Sequence, residues 1–129
     1  KIGYLSQEVD GIDMNLNALE NLTVLDVPLT DIYQQARSMD LTKDVLQKMP
    51  HELSRGQQSK LALTKLLLRQ CHILVLDEPT NHMDISTRER LESALVDFEG
   101  ALLVASHDRY FSDTIGITKQ LTITNGELL

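Results

Sequence analysis

Three features that often decide a protein's class are scarce in this sequence: cysteine, long apolar runs and positive charge. Cys71 is the only cysteine among 129 residues, which excludes an internal disulfide and a cysteine-rich metal site and fits a reducing compartment. No apolar run approaches the ~18 residues of a membrane-spanning helix, and no signal-peptide pattern is present. The formal charge of −7 argues against a nucleic-acid-binding surface, because phosphate backbones are bound by clustered lysine and arginine. What remains is a chain with 42% hydrophobic residues, enough for the modest core of one domain or of a piece of one.

A further absence concerns the loop that holds nucleotide phosphates in many enzymes. That loop reads Gly-x-x-x-x-Gly-Lys-Ser/Thr, and it supplies a phosphate cradle and a Mg²⁺-binding hydroxyl. None of the six glycines is followed by lysine, and no lysine is followed by serine or threonine. The chain also opens without methionine, directly in the strand-like residues 1–5, so we expect it to be cut from a longer protein.

An acidic pair follows the most clearly strand-like stretch of the sequence. Residues 73–76 are four consecutive apolar residues, which predicts a short strand buried on both faces, as in a parallel sheet covered by helices. Asp77 and Glu78 come next, at the end of the strand where parallel sheets bind ligands. Adjacent residues point to opposite sides, so one acid can hold Mg²⁺ while the other orients or deprotonates a water molecule. Taken alone, the pair is equally compatible with two solvated acids at a strand-to-loop junction.

A second pattern predicts an anion-binding helix N-terminus. Ser54 is followed three residues later by Gln57 and then by an apolar run, which is the sequence of a capping box, so a helix is expected from here to Arg69 or Gln70. Gly56 leaves the first turn without a side chain. Such a turn presents backbone N–H groups and the positive end of the helix dipole. By itself, the pattern more commonly marks an ordinary capped helix.

A histidine follows a second predicted strand. Residues 101–105 are apolar and should form another buried strand, parallel to the acid-bearing one, because a helical crossover joins the two. His107 would then emerge at the same edge of the sheet as Glu78. A lone histidine is more often structural, but this position beside the acids makes His107 a candidate site residue, and the motif resemblance described below favours a catalytic role.

The order of these pieces resembles the ATP-binding cassette (ABC) ATPases. Residues 53–57 (LSRGQ) are similar to their LSGGQ signature, with Arg55 in place of the first glycine. Residues 73–78 are similar to the Walker B strand with its catalytic glutamate, and Gln7 stands where the Q-loop glutamine is expected. Two further resemblances are to the D-loop, at residues 83–84, and to the switch-histidine loop, at residues 105–108.

Two longer runs narrow the resemblance to one class. Residues 78–84 (EPTNHMD) and 106–111 (SHDRYF) are similar to the ABC-F class. Members of that class are soluble twin-cassette ATPases that act on the ribosome, and some confer resistance to ribosome-targeting antibiotics. The resemblance covers essentially the whole chain.

This resemblance implies ATP and Mg²⁺ as cofactors and a role for each motif residue. As catalytic residues, Glu78 would polarise the attacking water and His107 would sense the γ-phosphate. Asp77, through water, and Gln7 would hold Mg²⁺. The residues implied to contact nucleotide are Gln7, Ser54, Arg55, Gly56, Gln57 and Asp84, of which Ser54 and Gly56 would address the γ-phosphate held by a second cassette. Arg55 departs from the signature glycine, although its charge could also attract phosphate.

The implied fold is α/β: a partial P-loop NTPase (RecA-like) parallel sheet with the ABC helical subdomain, from which the phosphate-loop strand is absent. Residues 1–8 would form the Q-loop strand and loop, residues 9–70 the helical subdomain ending in the signature helix, and residues 71–129 the carboxyl-terminal part of the RecA-like core. Without the phosphate-loop strand, Leu103 and Leu121 are expected to lack their apolar neighbour.

Local signals predict further elements. Thr23 and Thr42 are expected to cap short helices, residues 120–124 to form a strand, and residues 125–126 (Asn-Gly) to form a hairpin turn.

The helix after the D-loop has its own signals. Asp84 or Ser86 is expected to cap this helix, which would run through Phe98. Arg88 and Glu92 are four residues apart, so they are expected to pair on the outer face of the helix.

The expected function of the parent protein is ATP binding and hydrolysis in the cytoplasm by an ABC-F protein acting on the ribosome, as a translation factor or in antibiotic resistance. Its expected partners are a second cassette and the ribosome, the latter bound by regions outside these residues. This chain alone is expected to be inactive, because it lacks the phosphate loop. Two alternatives remain: the ATP-hydrolysing subunit of a membrane transporter, and a non-enzymatic interaction module.

Overall fold

A parallel sheet forms the centre of the α/β part of the molecule. The computed structural model describes all residues except 7–10, so the predicted Q-loop residue Gln7 lies outside the described residues. Strand β1 (Ile2–Leu5) pairs with β2 (Ile73–Asp77), and β2 pairs with β3 (Ala101–Ala105), all in parallel. The prediction of an α/β fold with parallel strands is confirmed, and the carboxyl ends of β2 and β3 lie side by side.

Among the described residues, helices cover only one face of this sheet. Leu74 and Leu76 of β2 are buried, whereas Ile73 on the opposite face is 39% exposed. In β3, Leu103 is 57% exposed. Residues 73–76 were predicted to form a strand buried on both faces, and residues 101–105 a second buried strand. Both strands form, but the predicted burial is wrong, because the described helices pack against one side of the sheet only. The expectation that Leu103 and Leu121 lack a neighbour is confirmed, since Leu121 is also exposed.

A helical segment connects β1 to β2. Its elements are α1 (Ala18–Thr23), α2 (Leu29–Ser38), α3 (Lys43–Leu46), the 3₁₀ turn Pro50–Glu52 and α4 (Arg55–Leu68). Thr42 caps α3, as predicted, by accepting a hydrogen bond from the Val45 N–H. Within residues 1–6 and 11–129, no helix is long and apolar enough to span a bilayer.

Two capping boxes show where sequence signals succeeded and failed. In the predicted box, the Gln57 N–H donates to Ser54 Oγ at 3.1 Å and the Ser54 N–H donates to Gln57 Oε1 at 3.0 Å. The prediction that Thr23 caps a helix is wrong, because α1 ends at Thr23 and begins after Asn17. Asn17 and Glu20 form an equivalent box at the start of α1, and each side chain accepts a hydrogen bond from the other residue's backbone N–H.

Helix α4 lies directly against the sheet. A Cβ on Gly3 of β1 would lie only 2.6 Å from Leu66 Cδ1 of α4, so glycine allows this close approach. Even Lys65 of this helix is buried, and its ammonium donates to the Gly11 carbonyl oxygen at 2.6 Å and to Asn21 Oδ1 at 3.3 Å. Burial lowers the pKa of Lys65. The second half of α4 is almost entirely buried, at residues 61–66 and 68.

Helix α5 (Ile85–Val96) connects β2 to β3, and α6 (Arg109–Thr114) follows β3. The Asn-Gly turn is also as predicted, since both of its residues have positive φ and connect β4 (Ile123–Thr124) to β5 (Glu127–Leu128). The predicted strand over 120–124 is shorter in the structure. Backbone pairing in the hairpin reaches back only to Thr122, opposite Leu129.

Candidate functional site

The acid and the histidine singled out in the sequence are in contact. Strands β2 and β3 pair up to Asp77 and Ala105, and the Glu78 N–H extends this ladder by donating to the Ala105 carbonyl oxygen at 2.8 Å. Beyond it, Glu78 Oε1 lies 2.8 Å from His107 Nδ1. These side chains are 29 positions apart in the chain, and they meet because neighbouring parallel strands end at the same edge.

The backbone of Glu78 turns sharply at this edge. Its φ of 47° lies in the left-handed region, which costs a residue with a side chain about 1 kcal/mol. The Asn81 N–H donates to the Glu78 carbonyl oxygen at 3.2 Å and closes the turn. Glu78 Oε2 is shielded from solvent and accepts no hydrogen bond from the described residues. Because a shielded carboxylate oxygen normally has a partner, Oε2 is the natural acceptor for a bound water or ligand.

His107 is in a different environment from its partner. Its side chain is 81% exposed, against 21% for Glu78. The hydrogen bond with Glu78, together with the charge of that carboxylate, raises the pKa of His107. An ionised carboxylate can only accept, so Nδ1 is the donor and Nε2 remains for a ligand.

The signature-like turn is held by its own cap. Ser54 Oγ and the Gln57 side chain each bond to the other's backbone, so both side chains are engaged within the first turn of α4. Arg55 is exposed at this turn. The nucleotide contacts implied for Ser54 and Gln57 would therefore require these side chains to give up or share their capping bonds.

Asp84 lies beside that turn. It caps α5, since its Oδ1 accepts a hydrogen bond from the Thr87 N–H at 2.6 Å, and this bond lowers the pKa of Asp84. Its Oδ2 is 3.8 Å from the position that a Cβ on Gly56 would occupy. The predicted alternative cap, Ser86, is not used, and the D-loop-like residue Asp84 lies close to the signature-like turn of the same chain.

The structure thus divides the predicted site residues into two groups. The edge group is Asp77, Glu78 and His107, and the turn group is Ser54, Arg55, Gly56, Gln57 and Asp84. Gln7 is outside the described residues. The roles that the resemblance implies for these residues remain predictions.

Sequence reasoning missed an ion-pair cluster next to His107. Arg88 Nε does bond Glu92 Oε1 at 2.9 Å, but the predicted outer face is wrong, because Glu92 is buried. Arg88 Nη1 also binds Asp108 Oδ2 at 2.9 Å, and its guanidinium lies 5.3 Å from the centre of the Tyr110 ring. Only the i,i+4 spacing of Arg88 and Glu92 was visible in the sequence, whereas the Asp108 contact depends on how α5 packs beside the β3–α6 loop.

Ligands for a divalent cation are present at the edge but do not form a closed site. Asp77 is half-buried there, and Glu78 Oε2 is unpartnered among the described residues. No group of three or more histidine, cysteine or acidic side chains converges within residues 1–6 and 11–129. The Asp77 carboxylate fits Mg²⁺, which commonly binds one or two carboxylates, keeps several waters and takes its other ligands from substrate phosphates, and this leaves Glu78 Oε2 for a water molecule.

A parallel sheet, a helical segment between its first two strands, and an acid–histidine pair at its carboxyl edge define a partial P-loop NTPase fold of the cassette type. The chain belongs to the family described as "ABC transporter", whose sequence profile matches residues 1–81.

Curated relatives support the narrower resemblance to the ABC-F class. The chain is 31% identical over 129 residues to "ABC transporter F family member 2" of Arabidopsis thaliana, covering 98% of this chain and 19% of the relative. It is 34% identical over 128 residues to "Ribosome protection protein VmlR" of Bacillus subtilis, covering 97% and 23%. It is 49% identical over 69 residues to "Energy-dependent translational throttle protein EttA" of Haemophilus influenzae, covering 54% and 12%. The chain therefore spans less than a quarter of each relative.

Solved structures share the fold. The dimeric structure of MJ0796, a bacterial ABC transporter cassette, superposes with a TM-score of 0.75 at 24% identity, covering 88% of this chain and 55% of that one. A post-hydrolysis state of the same ATP-binding cassette, bound to ADP and Pi, superposes with a TM-score of 0.74 at 25% identity and the same coverage.

Proposed function

We propose that this chain is part of an ATP-hydrolysing ABC-F protein that acts on the ribosome. The observation that carries the proposal is the 2.8 Å contact between Glu78 Oε1 and His107 Nδ1. The two side chains come from strands separated by a whole helix, yet they meet at the edge where parallel sheets bind ligands. Sequence motif and geometry therefore agree on the same pair.

In this proposal Glu78 acts on the attacking water. Its Oε1 is engaged by His107, so Oε2 aligns the water or accepts its proton. His107 would present Nε2 to a γ-phosphate oxygen, and Asp77 and Gln7 would hold Mg²⁺. Mg²⁺ neutralises charge on the phosphates when it is bound.

The turn group addresses a different nucleotide, held by a second cassette. Ser54, Arg55, Gly56 and Gln57 surround the N-terminus of α4, a 14-residue helix whose dipole favours an anion. The chain has no phosphate loop of its own and a net charge of −7, so the nucleotide must be held by other segments. Closure of two cassettes on ATP, and their release after hydrolysis, is the proposed output.

The proposed place of action is the ribosome, in the cytoplasm, in translation or in resistance to ribosome-targeting antibiotics. It is supported by relatives named for ribosome protection and for translational throttling. The negative charge of these residues leaves rRNA binding to basic regions elsewhere in the protein.

The test compares two glutamate substitutions in the full-length protein. Glu78→Gln keeps the size of the side chain but cannot act as a base, so turnover is expected to fall at least about 100-fold while ATP still binds. Glu89→Gln makes the same chemical change on the exposed surface of α5 and is expected to leave turnover unchanged. ATP-dependent co-sedimentation with ribosomes is expected, and it should be strongest for Glu78→Gln, which traps the closed state.

Other outcomes would contradict the proposal. Hydrolysis by Glu78→Gln at the unsubstituted rate would remove Glu78 from its role. Sedimentation with membranes and a transport subunit would favour the transporter alternative, with which the family description agrees. A full-length protein with no nucleotide dependence would favour the interaction module.

A further inference from the structure

The orientation of His107 depends on the backbone around it. Its imidazole is 81% exposed, so little packing holds the ring. On the amino-terminal side, the loop is anchored where the Ala105 carbonyl oxygen accepts from the Glu78 N–H at 2.8 Å. A second anchor is needed on the other side if the ring is to stay against Glu78.

That second anchor is Asp108. Its Oδ1 accepts a hydrogen bond from the Phe111 N–H at 3.0 Å and caps α6, and its N–H donates to Ser106 Oγ at 3.0 Å. Its Oδ2 accepts from Arg88 Nη1 at 2.9 Å. The Phe111 bond, reinforced by Arg88, holds the pKa of Asp108 below its usual value. The residue next to His107 is thus fixed by its own helix and by a different element, α5.

Arg88 is well placed to hold this anchor. Its Nε binds Glu92 Oε1 at 2.9 Å, and the Tyr110 ring lies beside its guanidinium. Its backbone N–H donates to the carbonyl oxygen of Asp84, the cap of α5, at 3.0 Å. A guanidinium fixed by two carboxylates has little freedom to move, because the paired N–H donors keep a rigid planar geometry.

We infer that Arg88 is a positioning residue: through Asp108 it sets the loop that carries His107 against Glu78. It does not touch the reacting groups itself. Arg88 also connects Asp84 with the acid–histidine edge. Its backbone lies in α5, the helix that Asp84 caps, and its side chain pairs with Asp108, next to His107. The inference rests on the proposed ATPase function, and its test separates the two.

The structure offers a matched control on the same helix. Arg90 also makes an ion pair: its Nη2 lies 2.6 Å from Asp40 Oδ2, and its Nη1 donates to the Ser38 carbonyl oxygen. Both partners lie in the helical segment, away from His107. Arg90→Met therefore removes an α5 arginine and its ion pair without touching the histidine loop.

The first measurement is steady-state ATP hydrolysis by the full-length protein. Arg88→Met is expected to lower kcat roughly tenfold, less than the hundredfold that a 1 Å misplacement can cause, with KM for Mg-ATP changed less than about twofold. Asp108→Asn should do the same, because asparagine Oδ1 still caps α6, which places the Nδ2 amide, a donor that cannot accept, opposite Arg88 Nη1. Arg90→Met should leave kcat unchanged. In a His107→Ala background, Arg88→Met should cause no further loss.

The second measurement needs no nucleotide. Above its pKa, His107 should be mainly the Nδ1–H tautomer, because Nδ1 donates to Glu78. Nitrogen chemical shifts of ¹⁵N-histidine-labelled protein report this tautomer, and His107→Ala assigns the signal. Arg88→Met and Asp108→Asn are expected to shift the population toward Nε2–H, whereas Arg90→Met should not.

The outcomes separate the inference from the proposed function. An unchanged tautomer and kcat in both Arg88→Met and Asp108→Asn would overturn the inference, and so would an additive loss in the His107→Ala background. If Arg88→Met does not fold, Asp108→Asn decides by the same two measurements. If Glu78→Gln and His107→Ala leave hydrolysis intact, the proposed function fails, and the tautomer measurement still tests the positioning.

Discussion

The two groups of predicted site residues are held in different ways. At the turn group, Ser54 and Gln57 are bonded to each other's backbone, three residues apart. At the edge group, Glu78 and His107 are 29 residues apart, and Arg88 reaches across to Asp108. The first arrangement needs one helix turn. The second needs two strands that pair in the correct register and two helices that pack in the correct positions.

This difference indicates which part of the site depends on the rest of the fold. Local bonds form wherever α4 forms, and α4 is stabilised by its buried second half, residues 61–66 and 68. The edge group depends on a sheet that has one uncovered apolar face, with Ile2, Tyr4 and Leu103 exposed on it. We therefore expect the edge group to be the more sensitive to anything that alters the sheet.

The largest expected effect concerns the 129-residue chain by itself. We predict that it neither hydrolyses ATP nor binds Mg-ATP in the micromolar range, because neither group holds phosphate alone and its charge of −7 repels a polyanion. Calorimetric titration checks this, with the full-length protein as the positive control. Micromolar one-to-one binding would mean that the groups form a complete site without other segments, which would contradict this prediction.

The next prediction compares the two faces of the sheet. Leu76 is fully buried, so Leu76→Ala is expected to lower the free energy of unfolding of the 129-residue chain by about 2–5 kcal/mol. Leu103→Ala removes the same atoms from the open face and should cost less than about 1 kcal/mol. Urea denaturation followed by circular dichroism measures both. Equal losses would show that the open face is covered in solution, for example by a second copy.

A smaller effect is expected at the signature-like turn. Ser54→Ala removes the acceptor for the Gln57 N–H and should cost about 1 kcal/mol of unfolding free energy. Ser54→Asn restores a capping oxygen and should recover most of that loss. The same denaturation measurement applies. A Ser54→Ala chain as stable as the original would contradict the view that this turn is held by its local bonds.

The smallest effect concerns the pH dependence of the edge group. Because Glu78 raises the pKa of His107, their contact adds stability that is fully present below the unfolded-state value of about 6.5. That stability is lost as the pH rises through the higher folded-state pKa. NMR titration should show the His107 pKa falling toward its usual value in Glu78→Gln. The negative charge of Asp108 acts in the same direction and remains in that variant, so an unchanged pKa would assign the shift to Asp108 instead.

The sequence predicted what depends on neighbours along the chain. The capping box at Ser54, the N-cap at Thr42, the Asn-Gly turn and the acid after β2 follow from short-range geometry, and all are present. The cap predicted at Thr23 is wrong, because α1 begins after Asn17 and ends at Thr23. Asn17 with Glu20 satisfies two backbone N–H groups together, and that combination outweighs a single threonine hydroxyl.

By itself, then, the sequence determined the parallel α/β class and named the candidate site residues, because strand composition, helix caps and motif order are all encoded in residues close together along the chain. Only the tertiary structure decided which faces are covered and which distant side chains meet. The four apolar residues of β2 predicted two buried faces, but burial depends on whether another element packs there, and on one side none of the described elements does. Likewise, the bond from Arg88 to Asp108 exists because helix α5 lies beside the loop after β3, a packing relation that no spacing along the chain expresses.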